Sequence, residues 1–491
     1  MNSLSLSLNR LLRFFLSISF CSMQILARIY LLLVILFYKF NQRRLSRKLD
    51  VLSFTPAGYS EPEIELQSGE FWVETSGSSN VPKKMRYSLK RVGKIKLYFM
   101  LSILASLPVR LKLKTFFVLS SLDSENSLTD VMTKESKKLN HFQMLQAPYR
   151  LLHAPEFKDH VKNYHHQALR LWLYIVTRPR ILYATNPSSI VLFNEEIKKD
   201  HALSFIQDYV NGKLSNQKEI EKIYHSIKDT NVNFQSILDL QSRNLVSTNP
   251  MLESIISWDG GYVTHSLDQL KTLFPKLKHF PLFSMSTENI ETVSFASKFL
   301  PLAPETCYEF LKDGKLIRPW NLQLGSEYEM IISNKYGLTR YLTGDIFECR
   351  SKFFGLPDLI FKKRTGLTFS FTGEKITAEQ LHIVSNQLLK KHPQLSFCVI
   401  PQLKVPSYVL YIITENLNID GPSIGNEYDE LLKDVNVEYA QKRNSGRLDT
   451  FEVKVVSLVD FVEYIKGEKF EKWESQFKIL PLYPYQRDPK E

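Results

Sequence analysis

The sequence predicts an α/β protein: a large N-terminal domain built on mainly parallel sheets, followed by a smaller α+β domain. Three observations predict it. Strand-like apolar runs alternate with helical patterns through the first part of the chain, and such alternation marks parallel sheets covered by helices. Near Gly366 the pattern changes to a capped helix followed by two successive β-rich runs. The chain has 491 residues, too many for one small domain. The expected division is an apolar and basic segment over 1–48, a large domain over 49–363 and a second domain over 364–491.

Taken in order, residues Phe14 to Tyr38 are almost wholly apolar and are interrupted by Arg28. As one helix these 25 residues would span roughly 37 Å, enough for a bilayer core of about 30 Å. Arg10 and Arg13 precede the run; Lys39, Arg43, Arg44, Arg47 and Lys48 follow it. The larger positive cluster would place the following domain in the cytoplasm. Three readings fit: a helix pair that is buried or lies at an interface, a single membrane anchor, and a cleaved signal peptide. Arg28 at mid-span favours the first, and the bulky Phe20 before Cys21 opposes the last.

Leu52 to Glu70 is rich in Pro, Ser and Glu and reads as a loop. Phe71–Val73 and Arg180–Ala184 read as strands, and Asn186-Pro187-Ser188-Ser189 turns into a helix. His201–Val210 and Leu267–Phe274 are helical, and Phe280–Phe283 is strand-like. In the second unit Thr377 to Gln380 has capping-box spacing and opens a helix through Lys391. Strands follow at Ser396–Ile400 and Ser407–Thr414, a helix at Tyr428–Lys442, a strand at Phe451–Leu458 and a helix at Phe461–Phe470.

The formal net charge of +12 suits anionic partners such as nucleotides or acidic lipids. Nucleic acid is the weaker option, because the basic residues are dispersed and no zinc-finger or RNP-type motif accompanies them. The cysteines Cys21, Cys307, Cys349 and Cys398 lie far apart. That argues against a disulfide framework and a structural zinc site, and fits a reducing compartment.

Four segments can carry chemistry. Thr75-Ser76-Gly77-Ser78-Ser79, followed by Lys83, can offer backbone N–H and hydroxyl donors to phosphate; it also reads as a plain surface loop. Thr287-Glu288 follows a strand, where a carboxylate can hold Mg²⁺ or simply start a helix. Gly344-Asp345 can present two acceptors to ribose hydroxyls or form a hairpin turn. Arg364 and Gly373-Glu374-Lys375 stand at the domain boundary, as ligand contacts or as a solvated linker.

Together, the order and spacing of these segments resemble the adenylate-forming superfamily, and within it the auxin-responsive Gretchen Hagen 3 family of acyl-acid amido synthetases, bacterial members included. Thr75 to Lys83 looks like the family's phosphate loop, Asn186-Pro187-Ser188 like its Asn-Pro-Ser segment, and Ser286-Thr287-Glu288 like its Ser-Ser-Glu motif. Gly337 to Asp345 looks like its Gly-Leu-Tyr-Arg-Tyr-x-x-Gly-Asp motif, with Thr339 in the tyrosine slot. Asn80 stands where a glycine is usual. The resemblance spans about residues 70 to 480.

It implies an adenylate-forming fold whose C-terminal domain is a mobile lid hinged near Arg364. It implies ATP and Mg²⁺ as cofactors, a small carboxylic acid as substrate and an amine, an amino acid for this family, as acceptor. The phosphate loop would be Thr75, Ser76, Gly77, Ser78, Ser79 and Lys83. Thr287 would contact nucleotide, Glu288 would hold Mg²⁺ and act in catalysis, and Asp345 would bind ribose. Arg364 and Lys375 would be hinge or lid contacts, and Lys478 the catalytic lid lysine. The other readings are a thiol acceptor, as in acyl-CoA ligases, and a non-catalytic relative attached to a membrane through residues 1–48.

Overall fold

The computed structural model describes residues 20–58, 66–74, 83–107, 116–119, 164, 166–227, 231–260, 264–365, 367–371, 374–402, 407–467 and 477–483. From Phe20 the apolar N-terminal run is a single helix that continues through Arg28 rather than breaking there, and residues 14–19 lie outside the described residues. Helix α1 (Phe20–Leu36) gives way to α2 (Tyr38–Lys48) across a bend of 61°. Among the described residues no single helix is long and apolar enough to cross a membrane. Arg28 is satisfied by protein: its guanidinium donates to the carbonyls of Ala105 (3.4 Å) and Leu107 (3.1 Å), and Gln24 Nε2 also donates to Leu107 (3.0 Å). Met23, Ala27, Leu31 and Ile35 are buried on this inner face, the i, i+4 stripe of a core-facing helix. Gln42 of α2 bonds both the Thr306 carbonyl (2.8 Å) and the Tyr308 N–H (2.9 Å), as a neighbouring strand would.

The strand expected at Phe71–Val73 is β1 (Glu70–Glu74), but it pairs antiparallel with β2 (Lys84–Ser88) in a separate hairpin. Ser88 then caps α3 (Leu89–Ser106), accepting from the Arg91 N–H. The predicted parallel sheet is present, in the order β3 (Phe116–Leu119), β4 (Ile181–Ala184), β5 (Ser254–Ser257), β6 (Lys278–Pro281). All residues of β4 and β5 are buried, as a sheet covered on both faces requires. Helices Pro187–Lys198 and Thr264–Leu273 follow β4 and β5. Two details differ from the expectation: β6 begins two residues before Phe280, and the helix expected from His201 opens as a 3₁₀ turn (Asp200–Leu203) before Ser204–Val210.

A second sheet had not been indicated by the strand–helix alternation. After the small hairpin of β7 (Val293–Phe295) and β8 (Lys298–Leu300) come β9 (Thr306–Lys312), β10 (Lys315–Ile317), β11 (Glu327–Asn334), β12 (Tyr341–Phe353) and β13 (Leu356–Arg364). They form an antiparallel sheet in the order β10-β9-β11-β12-β13. Its inner face shares one core with α1, α3 and the hairpin of β1 and β2.

The C-terminal part has the expected α+β build. The short pair β14 (Thr368–Phe369) and β15 (Ile376–Thr377) leads into helix Ala378–Leu389, whose capping box joins Thr377 and Gln380. β16 (Ser396–Gln402) and β17 (Ser407–Ile413) are antiparallel, and β18 (Glu452–Val456) runs parallel to β17. The single helix expected at Tyr428–Lys442 is two, Gly421–Val435 and Val437–Asn444, because the Asn436 side chain caps the second. Gly425 lets the first lie on the sheet: a Cβ there would run into the Val453 side chain. The last expected helix is Leu458–Lys466, stopped by Gly467 at φ 65°; residues 468–470 lie outside the described residues.

Candidate active site

The site forms where the hairpin of β1 and β2, the segment after β6, the middle of β12 and the C-terminal strip meet. The predicted loop residues Thr75, Ser76, Gly77, Ser78 and Ser79 lie outside the described residues, but their neighbour Lys83 does not. Its ammonium donates to the Tyr341 hydroxyl (2.6 Å) and to Glu288 Oε1 (3.3 Å), so the foot of the loop meets two of the other motifs directly.

Glu288 does not begin a helix. Residues 284–292 fold back on themselves: Met285 bridges Ile290, the Ser286 N–H donates to the Asn289 carbonyl (2.9 Å), and the Glu291 N–H donates to the Ser284 carbonyl (3.1 Å). This turn is clamped from outside. The Tyr87 hydroxyl donates to the Thr287 carbonyl (2.7 Å), and Arg91 Nη2 donates to the Glu288 carbonyl (2.7 Å). Arg91 Nη1 also holds the Arg86 carbonyl (2.6 Å), and its guanidinium lies between the Tyr87 ring (4.0 Å) and the Tyr336 ring (4.4 Å). Both motifs are thereby fixed to one another through buried charge-assisted bonds. Tyr87, Arg91 and Tyr336 carry no signal in the sequence that separates them from ordinary core residues.

Gly344-Asp345 is likewise no hairpin turn. It lies inside β12, where the register against β11 shifts and Gly344 takes φ 74°, a bulge that turns Asp345 toward the site. A Cβ on Gly344 would stand 3.2 Å from Thr365 Oγ1. Asp345 faces Arg364 of β13 in a two-toothed pair: Nε donates to Oδ1 (2.8 Å) and Nη2 to Oδ2 (3.2 Å). Burial pushes the Asp345 carboxyl above the usual carboxylate range, and the Arg364 guanidinium opposes that. Arg340 of the same motif is spent on structure. It grips both oxygens of Glu309 at 2.9 and 3.0 Å and donates to the Phe54 carbonyl.

Lys478 reaches the same place from the far end of the chain. The strip 477–483 is sewn to β16, with Val399 N–H donating to the Pro481 carbonyl (2.9 Å) and Tyr483 N–H to the Val399 carbonyl (3.1 Å). Asn186, from the predicted Asn-Pro-Ser segment, donates to the Phe477 carbonyl. The Lys478 ammonium lies 3.6 Å from the centre of the Trp258 ring, a cation–π contact. The side chain remains exposed, yet surrounding protein and then the Arg364 charge lower its ammonium to about 8, while Asp345 and Glu291 pull the other way. Lys375 is not brought to this cluster. It sits on an exposed left-handed turn (φ 43°), with no hydrogen bond or ion pair among the described residues.

Glu291 was missed by the sequence reading. It is buried, accepts from the Ser284 hydroxyl through Oε2, and its Oε1 has no partner among the described residues. Burial, then Asp345, pushes it up to about 7. Because the folded state holds this proton more tightly than the unfolded chain, the contribution to stability is full below about pH 4.5 and is lost as pH rises through about 7. Glu291→Gln should therefore raise the melting temperature at pH 8 and change it little at pH 5. Equal changes at both pH values would contradict this assignment of the proton.

Comparisons with known proteins bear on the fold. Residues 292–364 match the family model described as GH3 family central domain, the stretch that runs from β7 to Arg364. No curated protein matches the sequence. Among solved structures, the chain is similar to an AtGH3.15 acyl acid amido synthetase in complex with 2,4-DB, with TM-score 0.61 and 17% identity over 84% of this chain and 80% of that one. It is also similar to a GH3.15 acyl acid amido synthetase, with TM-score 0.61 and 18% identity over 84% and 79%.

Proposed function

We propose that this chain, with a stretch matching the GH3 family central domain and the fold of the acyl acid amido synthetases, is an ATP-dependent ligase. It would activate a small carboxylic acid as an acyl-adenylate and pass the acyl group to an amine, an amino acid being the acceptor that the family resemblance suggests. The observation that supports this best is the meeting of Lys83, Glu288, the Asp345–Arg364 pair and Lys478, from four separate parts of the chain, in one cluster.

In the first half-reaction a substrate carboxylate oxygen attacks the α-phosphorus of ATP and pyrophosphate leaves. The protein's work there is positioning and charge neutralisation. Asp345 takes the ribose hydroxyls, with Arg364 holding the carboxylate in place. The loop Thr75 to Ser79 and Lys83 hold the phosphates, beside Thr287. Lys478 faces the charge that develops at the α-phosphate. Lys375, exposed as it stands, becomes a site contact only if the lid turns. In the second half-reaction the amine attacks the acyl carbon and AMP leaves.

Mg²⁺ fits this arrangement in one way. No group of three or more His, Cys, Asp or Glu able to hold a metal occurs among the described residues. Mg²⁺ commonly binds through one or two carboxylates while substrate phosphates and waters complete its shell. Glu288 is the carboxylate that would take this role, and the ion would offset phosphate charge.

The acceptor is tested by the product. With ATP, a competent acid and either an amino-acid mixture or coenzyme A, the reading expects an amide by mass spectrometry. A thioester formed in place of the amide would move the protein to the acyl-CoA ligases.

A further inference from the structure

The outer face of α1 is apolar, although nothing among the described residues covers it. The inner face of α1 is fully engaged with the core, so the fold does not require a second apolar face. Yet Ile25, Ile29, Leu33 and Leu36 run down the opposite side at i, i+4, i+8 and i+11, all exposed. Past the 61° bend, Phe37 and Phe40 are 64% and 70% exposed, and they stand at the outer corner of the elbow. A helix apolar on all sides is normally buried, and a contiguous exposed apolar patch marks an interaction surface.

Charge says what the surface fits. Arg43, Arg44, Arg47 and Lys48 follow the corner within three turns, and all four are exposed. None of them forms an ion pair among the described residues. An apolar helix face with aromatic residues beside a cluster of arginines is the pattern of helices that lie in a lipid–water interface, and such clusters are drawn to anionic headgroups. A second copy of this chain is a poorer occupant, because it could cover the apolar face but would leave the adjoining basic cluster without the counter-charge that an anionic surface supplies.

We propose that the outer face of α1 and α2 docks the protein on an anionic lipid bilayer, with Leu36, Phe37 and Phe40 entering the headgroup region and the arginines facing the phosphates. The chain lies on the bilayer without crossing it. This proposal is independent of the ligase reading.

Flotation of the full-length protein with vesicles of phosphatidylcholine, and with vesicles that also contain phosphatidylserine, tests it. The expected result is flotation with the anionic vesicles, weakened by salt. Phe37→Ser combined with Phe40→Ser should weaken binding about tenfold or more per ring. Arg43→Glu combined with Arg44→Glu should weaken it at least about fivefold per charge. All these residues are exposed, so both double variants should keep the wild-type melting temperature. Three results would overturn the proposal: no flotation of the wild type, undiminished flotation of both variants, or a wild-type dimer that the phenylalanine variant dissociates.

Discussion

Asp345→Ala should cut ATP-dependent pyrophosphate exchange about ten- to a hundredfold, mainly through a higher KM for ATP. The carboxylate is 7% exposed and bound at both oxygens by Arg364. Hydrogen bonds to a charged group contribute about 1.5–3 kcal/mol each, and losing them to the ribose accounts for that range. The substitution also strands Arg364. Removing one partner of a buried pair costs about 3–5 kcal/mol, and the Arg364 side chain is 28% exposed, so the stability loss should sit at or below the low end. Asp345→Asn separates the two effects, because it keeps shape and bulk while removing charge. If both variants fold and bind ATP as the wild type does, Asp345 has no part in nucleotide recognition.

Lys478→Ala should lose adenylation about a hundredfold or more while sparing the second half-reaction. A preorganised donor aimed at developing charge is commonly worth that much. A lid that turns between half-reactions would carry the lysine away before the amine attacks. A supplied acyl-adenylate and amine should therefore still give product. The titration adds a second signature. The Lys478 ammonium is lowered to about 8, so wild-type adenylation should decline as pH rises through about 8, and that basic limb should vanish in Lys478→Ala. If Lys478 is a solvated tail residue, both half-reactions survive the change. Equal loss of both would mean that the strip 477–483 had been damaged and the role would be unsupported.

The parts of the fold that were legible in the sequence are those whose signals are local. β4 is a run of apolar residues buried on both faces, and the Thr377–Gln380 capping box is written in two residues. The antiparallel sheet was not read, although β12 alternates buried and partly buried residues from Tyr341 to Cys349, the period of a strand. Gly344 hid it: a glycine followed by an aspartate reads as a turn, whereas here it makes a bulge within a strand. The start of helix Gly421–Val435 was missed for a related reason. A glycine inside a helix ordinarily weakens it, but Gly421 and Gly425 are close-packing positions against Val453 and Val455.

The site divides the same way. Glu288, Asp345, Arg364 and Lys478 were picked out by motif order and resemblance, and the structure brings them together. Lys375 was picked out on the same grounds and stays outside the cluster. Glu291 and Arg91 could not be singled out, because what distinguishes them is burial and partners across the fold, while Tyr341 lay within the Gly337–Asp345 motif but was given no role. Arg91 meets Glu288 across a separation of 197 residues, which no local pattern encodes.

The central claim is that this site makes acyl-adenylates. The most direct measurement is ATP–pyrophosphate exchange by the purified full-length protein with Mg²⁺, screened over aromatic, fatty and hydroxy acids. The account predicts exchange that requires a particular acid, needs no amine, and falls in Asp345→Ala and Lys478→Ala. A folded protein that binds ATP but shows no acid-dependent exchange across the panel would contradict it.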